Sequence, residues 1–115
     1  MRKLKNEELG LITHMLNQVP NSDYFIKKLP SLLVTEMNDG GMGSFKFLSE
    51  TSQKRTMQKE VAHINLRDVD GIPLSITLNL GTDGELYELS VLKADFTLLK
   101  QFPLPPYNSE GVNSI

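Results

Sequence analysis

The strongest constraint in this chain is a two-residue alternation between residues 62 and 91. Ala62, Ile64 and Leu66 alternate with His63, Asn65 and Arg67; Ile72, Leu74, Ile76, Leu78 and Leu80 alternate with Ser75, Thr77 and Asn79; Tyr87, Leu89 and Val91 alternate with Glu88 and Ser90. Side chains of a strand point to opposite faces in turn, so each segment has one apolar and one polar face. Three such segments separated by short Asp/Gly turns can fold only as an antiparallel sheet covered on one side.

Parity also constrains register, because a slip of one residue would turn every side chain over. If Asp68 faces Ile72, Leu66 meets Leu74, Ile64 meets Ile76 and Ala62 meets Leu78. The loop is then Val69-Asp70-Gly71, a type I turn closed by a left-handed glycine. A two-residue Asp70-Gly71 turn would set Leu66 against Ser75 and mix the faces. Across Gly81-Thr82-Asp83-Gly84, a four-residue loop pairs Leu78 with Tyr87, Ile76 with Leu89 and Leu74 with Val91.

Upstream the period changes to that of a helix. A helix runs from about Glu7 to Gln18, with Asn6 as N-cap and Pro20 as the stop, and Leu11, Ile12, Met15, Leu16 and Val19 form one apolar stripe. Gly10 in that helix suggests a close neighbour. Asn21 or Ser22 caps a second helix through Leu29, ended by Pro30. Leu32 to Thr35 and Phe45 to Phe47 read as a hairpin around the glycine-rich loop Asn38–Gly43, and residues 49–55 as a polar connection. After Lys93, the stretch Ala94–Leu99 reads as a turn into a short helical or packed segment.

The fold expected is therefore α+β: two N-terminal helices packed on one face of a mainly antiparallel sheet of about five strands. Residues 1–102 make one domain, and residues 103–115 a mobile, proline-containing tail ordered at most to about Tyr107. The helical stripe and Phe25 should cover Ile64, Leu66, Ile76, Leu78, Tyr87 and Leu89.

Composition narrows the chemistry. Among 115 residues there is no cysteine and there are two histidines, His14 and His63. That excludes a disulfide framework, thiolate metal sites and a cysteine nucleophile. No cofactor and no metal are expected. A net charge of −2 and the absence of tryptophan argue against nucleic acid as a partner. Apolar runs of three residues are too short for a signal sequence core or a membrane span, so no membrane association and a cytoplasmic location are expected. The charge is uneven: residues 61–115 hold three basic against seven acidic side chains. An electrostatically steered partner of this half would carry a basic surface.

Asp68-Val69-Asp70-Gly71 begins like a calcium loop but lacks the closing acid, and turn chemistry accounts for it. No nucleophile elbow, P-loop or dinucleotide fingerprint is present. Leu104-Pro105-Pro106-Tyr107 has the form of a short proline-rich ligand, though a tail clamped on the domain surface, or left mobile, is the plainer account. What remains is the polar sheet face. His63, Asn65, Arg67, Thr77, Asn79 and Glu88 share it, with Thr77 set opposite His63 and, on its other side, Glu88. This patch is the candidate binding surface. The alternatives are a small hydrolase or isomerase pairing His63 with a carboxylate, and self-assembly through an edge strand.

The stretch Gly84-Glu85-Leu86-Tyr87-Glu88-Leu89, followed by Lys93-Ala94-Asp95-Phe96, resembles a family of small uncharacterised bacterial proteins with this C-terminal hairpin. Its members often carry Trp where this chain has Leu92. Similar chains occur beside toxin and immunity proteins, so the resemblance implies an immunity-like binding role. It supplies no catalytic residues.

Overall fold

The computed structural model describes residues 1–48 and 54–108. Much of the connection expected over 49–55, and residues 109–115 of the tail, lie outside them. A short strand β1 (Arg2–Lys3) precedes helix α1 (Asn6–Leu16) and helix α2 (Asp23–Lys28), which runs into a 3-10 turn (Leu29–Ser31). Strands β2 (Leu33–Glu36), β3 (Phe45–Phe47), β4 (Met57–Arg67), β5 (Pro73–Gly81) and β6 (Leu86–Lys93) follow. The six strands form one antiparallel sheet in the order β1-β2-β3-β6-β5-β4. The α+β architecture is as expected, with one strand more.

The extra strand is β1, whose two residues carry no pattern. Arg2 pairs with Val34 and Lys3 with Leu33. This also moves the start of α1: Lys5 is the N-cap, Asn6 is already helical, and buried Glu8 does the capping by accepting from the Lys5 amide at 2.8 Å. The same carboxylate receives both terminal nitrogens of Arg2, at 2.7 and 2.9 Å. These bonds, Glu8's first, raise the Arg2 pKa far above its ordinary value.

Leu11, Ile12, Met15 and Leu16 of α1 are buried in one cluster with Ile64, Leu66, Leu74, Ile76, Leu78, Leu89 and Val91 of the sheet, and Phe25 packs at its margin. The closeness anticipated at Gly10 is real. A Cβ there would lie 2.9 Å from the Tyr107 hydroxyl. The chain after β6 returns over the helical layer, with Phe102 and Tyr107 packed against the core and the Tyr107 ring 4.9 Å from that of His14, tilted by 42°.

The β4–β5 register is as argued, with Leu66 on Leu74, Ile64 on Ile76, Ala62 on Leu78 and His63 on Thr77. The Asp68 amide donates to the Ile72 carbonyl, and the Gly71 amide (φ +84°) returns to Asp68. The β5–β6 register differs from expectation by two residues: Leu78 faces Leu89, Ile76 faces Val91 and Leu74 faces Lys93. The second turn repeats the first. The Gly81 amide bonds the Glu85 carbonyl, and the Gly84 amide (φ +79°) bonds Gly81, leaving three loop residues rather than four. Leu80 then pairs with Leu86 and Asn79 with Glu88, so Tyr87 is the extra residue of a bulge. Tyr87 accordingly falls outside the core cluster in which it was expected.

The segment after β6 is not helical either. Leu99 is half-buried, while Phe96 and Leu98 are exposed.

Candidate functional site

The face of the sheet opposite α1 is covered by no described helix. Cross-strand pairing lays it out in rows. Glu60, Asn79, Glu88, Lys46 and Thr35 form one row across β4, β5, β6, β3 and β2. His63, Thr77 and Ser90 form the next, and Asn65, Ser75 and Leu92 a third. All six residues of the expected patch lie on this face. Their mutual arrangement differs in one respect: Thr77 faces Ser90, and Glu88 faces Asn79. The two-residue register difference moves Glu88 one row away from His63.

His63 is held by neutral groups. Its Nε2 lies 2.9 Å from Asn65 Oδ1 and 3.4 Å from Ser75 Oγ, and its Nδ1 lies 3.3 Å from Thr77 Oγ1. No carboxylate touches the ring among the described residues, and a general base needs its partner within hydrogen-bond reach. The His63–Glu88 pairing is therefore a correction to the expected geometry. Arg67, at the end of the strip, donates to the Gly71 carbonyl at 2.8 Å. Among the described residues no three His, Cys, Asp or Glu side chains are placed to hold a metal ion.

The row through Asn79 has a different character. Asn79 is buried, and its Oδ1 has no hydrogen-bond partner among the described residues. Bulges flank it on both neighbours, at Val61 in β4 and Tyr87 in β6. Its cross-strand neighbours are the carboxylates Glu60 and Glu88. Lys46 Nζ sits 5.4 Å from the centre of the Tyr87 ring, and the Arg55 guanidinium lies at 5.4 Å from the same ring. Glu60 and Lys46 were absent from the expected patch because a bulge hides Glu60's parity and β3 is only three residues long.

Two charged clusters support the sheet from its ends. At the first turn, fully buried Lys93 donates to Asp68 at 2.8 Å, Asp70 at 2.7 Å and the Leu98 carbonyl at 3.0 Å. Asp68 also accepts the Lys100 and Gln101 amides at 2.7 and 3.1 Å. Burial pushes the Lys93 pKa down, but the two carboxylates outweigh it and the net shift is upward. Burial pushes the Asp68 pKa up, and the Lys100 amide with Lys93 and further amides brings it below the ordinary value. Turn chemistry alone does not describe these aspartates; they are also counter-ions. The alternation through Leu89 and Val91 to Lys93 carried that signal, since it places a lysine on the apolar face.

At the second turn, Arg55 binds Asp83 at 2.9 Å and the Phe47 and Leu86 carbonyls, and Lys28 binds Glu85 at 2.9 Å. These pairs rim a cleft of about 300 Å³ floored by Phe25, Leu32, Phe47 and Leu86. Its charges neutralise one another: Lys28–Glu85 is a strut between α2 and the β5–β6 turn, and Arg55 ties that turn to β3 and β6. No described helix is long and apolar enough to cross a membrane.

The family model described as Domain of unknown function (DUF6984) matches residues 1–103. No curated protein and no solved structure matches the chain.

Proposed function

The chain belongs to the family Domain of unknown function (DUF6984), and from its own geometry we propose that it is a non-enzymatic protein-binding module of the bacterial cytoplasm. Its uncovered sheet face docks a partner with a basic surface. One observation supports this reading above the others: a six-stranded sheet has one face that no described helix covers and sets the carboxylates Glu60 and Glu88 on either side of Asn79. Such a row offers acceptors, and arginine or lysine side chains supply the matching donors. The neighbouring strip of Ser75, Thr77, Ser90 and Asn65 is short and polar, and the bonds on His63 fix its shape. Rigid polar groups lose little entropy on docking. Neutralisation of a basic, toxin-type protein is the specific form of this role that the C-terminal hairpin suggests.

The test uses immobilised chain and lysate of the source cell. Wild type and a Glu7→Lys control on α1 should retain the same basic protein. The Glu60→Lys/Glu88→Lys variant should lose it by about tenfold or more, the factor that 1.4 kcal/mol represents. Retention of one identical set of proteins by all three would refute the proposal.

A further inference from the structure

Asn79 is 5% exposed, and its Oδ1 is shut off from water as well as from any hydrogen-bond donor among the described residues. An acceptor buried in this way is destabilised until a donor reaches it. Its cross-strand neighbours lack donors too. Of the described carboxylates, only Glu60 and Glu88 have neither a hydrogen-bonding or ionic partner nor a place in the first turn of a helix. Three acceptors without donors therefore stand side by side in one row, with bulges at Val61 and Tyr87 beside them, where sheets re-aim side chains. The chain's own cations nearby are directed elsewhere. Arg55 binds Asp83 and the Phe47 and Leu86 carbonyls, and Lys46 Nζ lies over the Tyr87 ring. Glu60 is exposed and Glu88 half-buried, so their side chains can part to admit a group from outside.

A row of this kind takes a cation with many donors. Adjacent strands lie about 4.8 Å apart, which sets the Glu60 and Glu88 backbones about 10 Å apart across Asn79. A guanidinium is planar and always charged, and its five N–H donors face three sides. One such group reaches both carboxylates and the amide oxygen between them. An ammonium is a compact point charge with three donors, and it pairs with one carboxylate at a time.

We propose that Glu60, Asn79 and Glu88 form a socket for one arginine side chain of the protein partner, with Asn79 at its floor selecting arginine over lysine. This rests on the docking role above and names the group that the face grips. The two glutamates supply charge, which either cation answers; Asn79 supplies the third acceptor, which the guanidinium satisfies together with both. Magnetic-resonance titration of isotope-labelled chain with N-acetyl-arginine methylamide and its lysine counterpart tests it, with the Asn79 side-chain amide as reporter. The arginine compound should shift that signal saturably, and the lysine compound should bind about tenfold more weakly or worse. Asn79→Leu removes the unpaired acceptor, so it should melt no lower than wild type. Its arginine affinity, read at the Glu60 and Glu88 amides, should fall to that of lysine. The wild-type comparison of the two compounds decides whether or not that variant folds. Equal binding of the two compounds overturns the socket, as does undiminished arginine binding by Asn79→Leu. So does an Asn79 signal unmoved by about 100 mM of the arginine compound, or one moved by calcium chloride instead. The docking role fails separately: it stands if wild type captures a basic protein that Glu60→Lys/Glu88→Lys loses, whatever the titration shows.

Discussion

Lys93 is the side chain on which the end of the sheet turns. Its ammonium satisfies Asp68, Asp70 and the Leu98 carbonyl at once, and Asp68 in turn fixes the Lys100 and Gln101 amides. Removing one member of a buried ion cluster leaves the others uncompensated, which is worse than having no cluster. Lys93→Met keeps the length and loses the charge, so its melting temperature should fall on the order of 10 °C or more. Adding Asp68→Asn removes the more deeply buried of the two orphaned charges while keeping an acceptor for the amides, and should recover part of the loss. A Lys93→Met chain that melts with wild type would show the cluster to be dispensable. Tyr107 is the opposite case: its buried hydroxyl, beside Gly10, has no hydrogen-bond partner among the described residues, and burial raises its pKa.

Among the elements, the two turns of the β4–β5–β6 meander are the same device used twice. Nothing lies within 4 Å of a Cβ built on Gly71 or Gly84, so an alanine there meets backbone strain alone. Gly71→Ala and Gly84→Ala should each cost about 1 kcal/mol in denaturant unfolding. A negligible loss at Gly84 would contradict the three-residue loop. This element also shows how far sequence reasoning reaches. Alternation fixes which face each residue takes, so all six patch residues could be placed on the open face. It cannot distinguish registers that differ by two residues, because both keep the faces matched. The β4–β5 register came out through a correct loop length. The β5–β6 register did not, because the bulge at Tyr87 leaves no mark in the apolar pattern. Glu88 was consequently set a row too close to His63. Short β1 and the reach of Phe102 and Tyr107 over α1 depend on long-range pairing that local periodicity does not encode, although Gly10 hinted at the second.

For the whole molecule, the distribution of charge sets both stability and partner. Asp68, Asp83 and Glu85 sit below ordinary carboxylate values: in each, burial acts upward and is outweighed by amide, hydroxyl or cationic donors. Groups lowered in the folded state contribute stability that is complete above their unfolded values, near pH 4, and is lost as pH falls through the folded ones. Lys93 is raised, so its contribution is complete below about pH 10.4 and is lost as pH rises through the folded value. The melting temperature should be level between about pH 5 and 9 and fall on both sides. A loss centred between these two limits, near neutral pH, would contradict this assignment. Of the sheet's two edges, β1 is two residues long, and β4 carries two bulges with exposed Lys59 and Glu60. Bulges and charges keep an edge from recruiting another strand, which leaves the open face as the larger surface for a partner. Carboxylate footprinting of the chain with its captured partner tests that surface most directly. Glu60 and Glu88 should become protected while Glu7 and Asp23 on the helical layer keep their reactivity; protection confined to Glu7 and Asp23 would contradict the docking face.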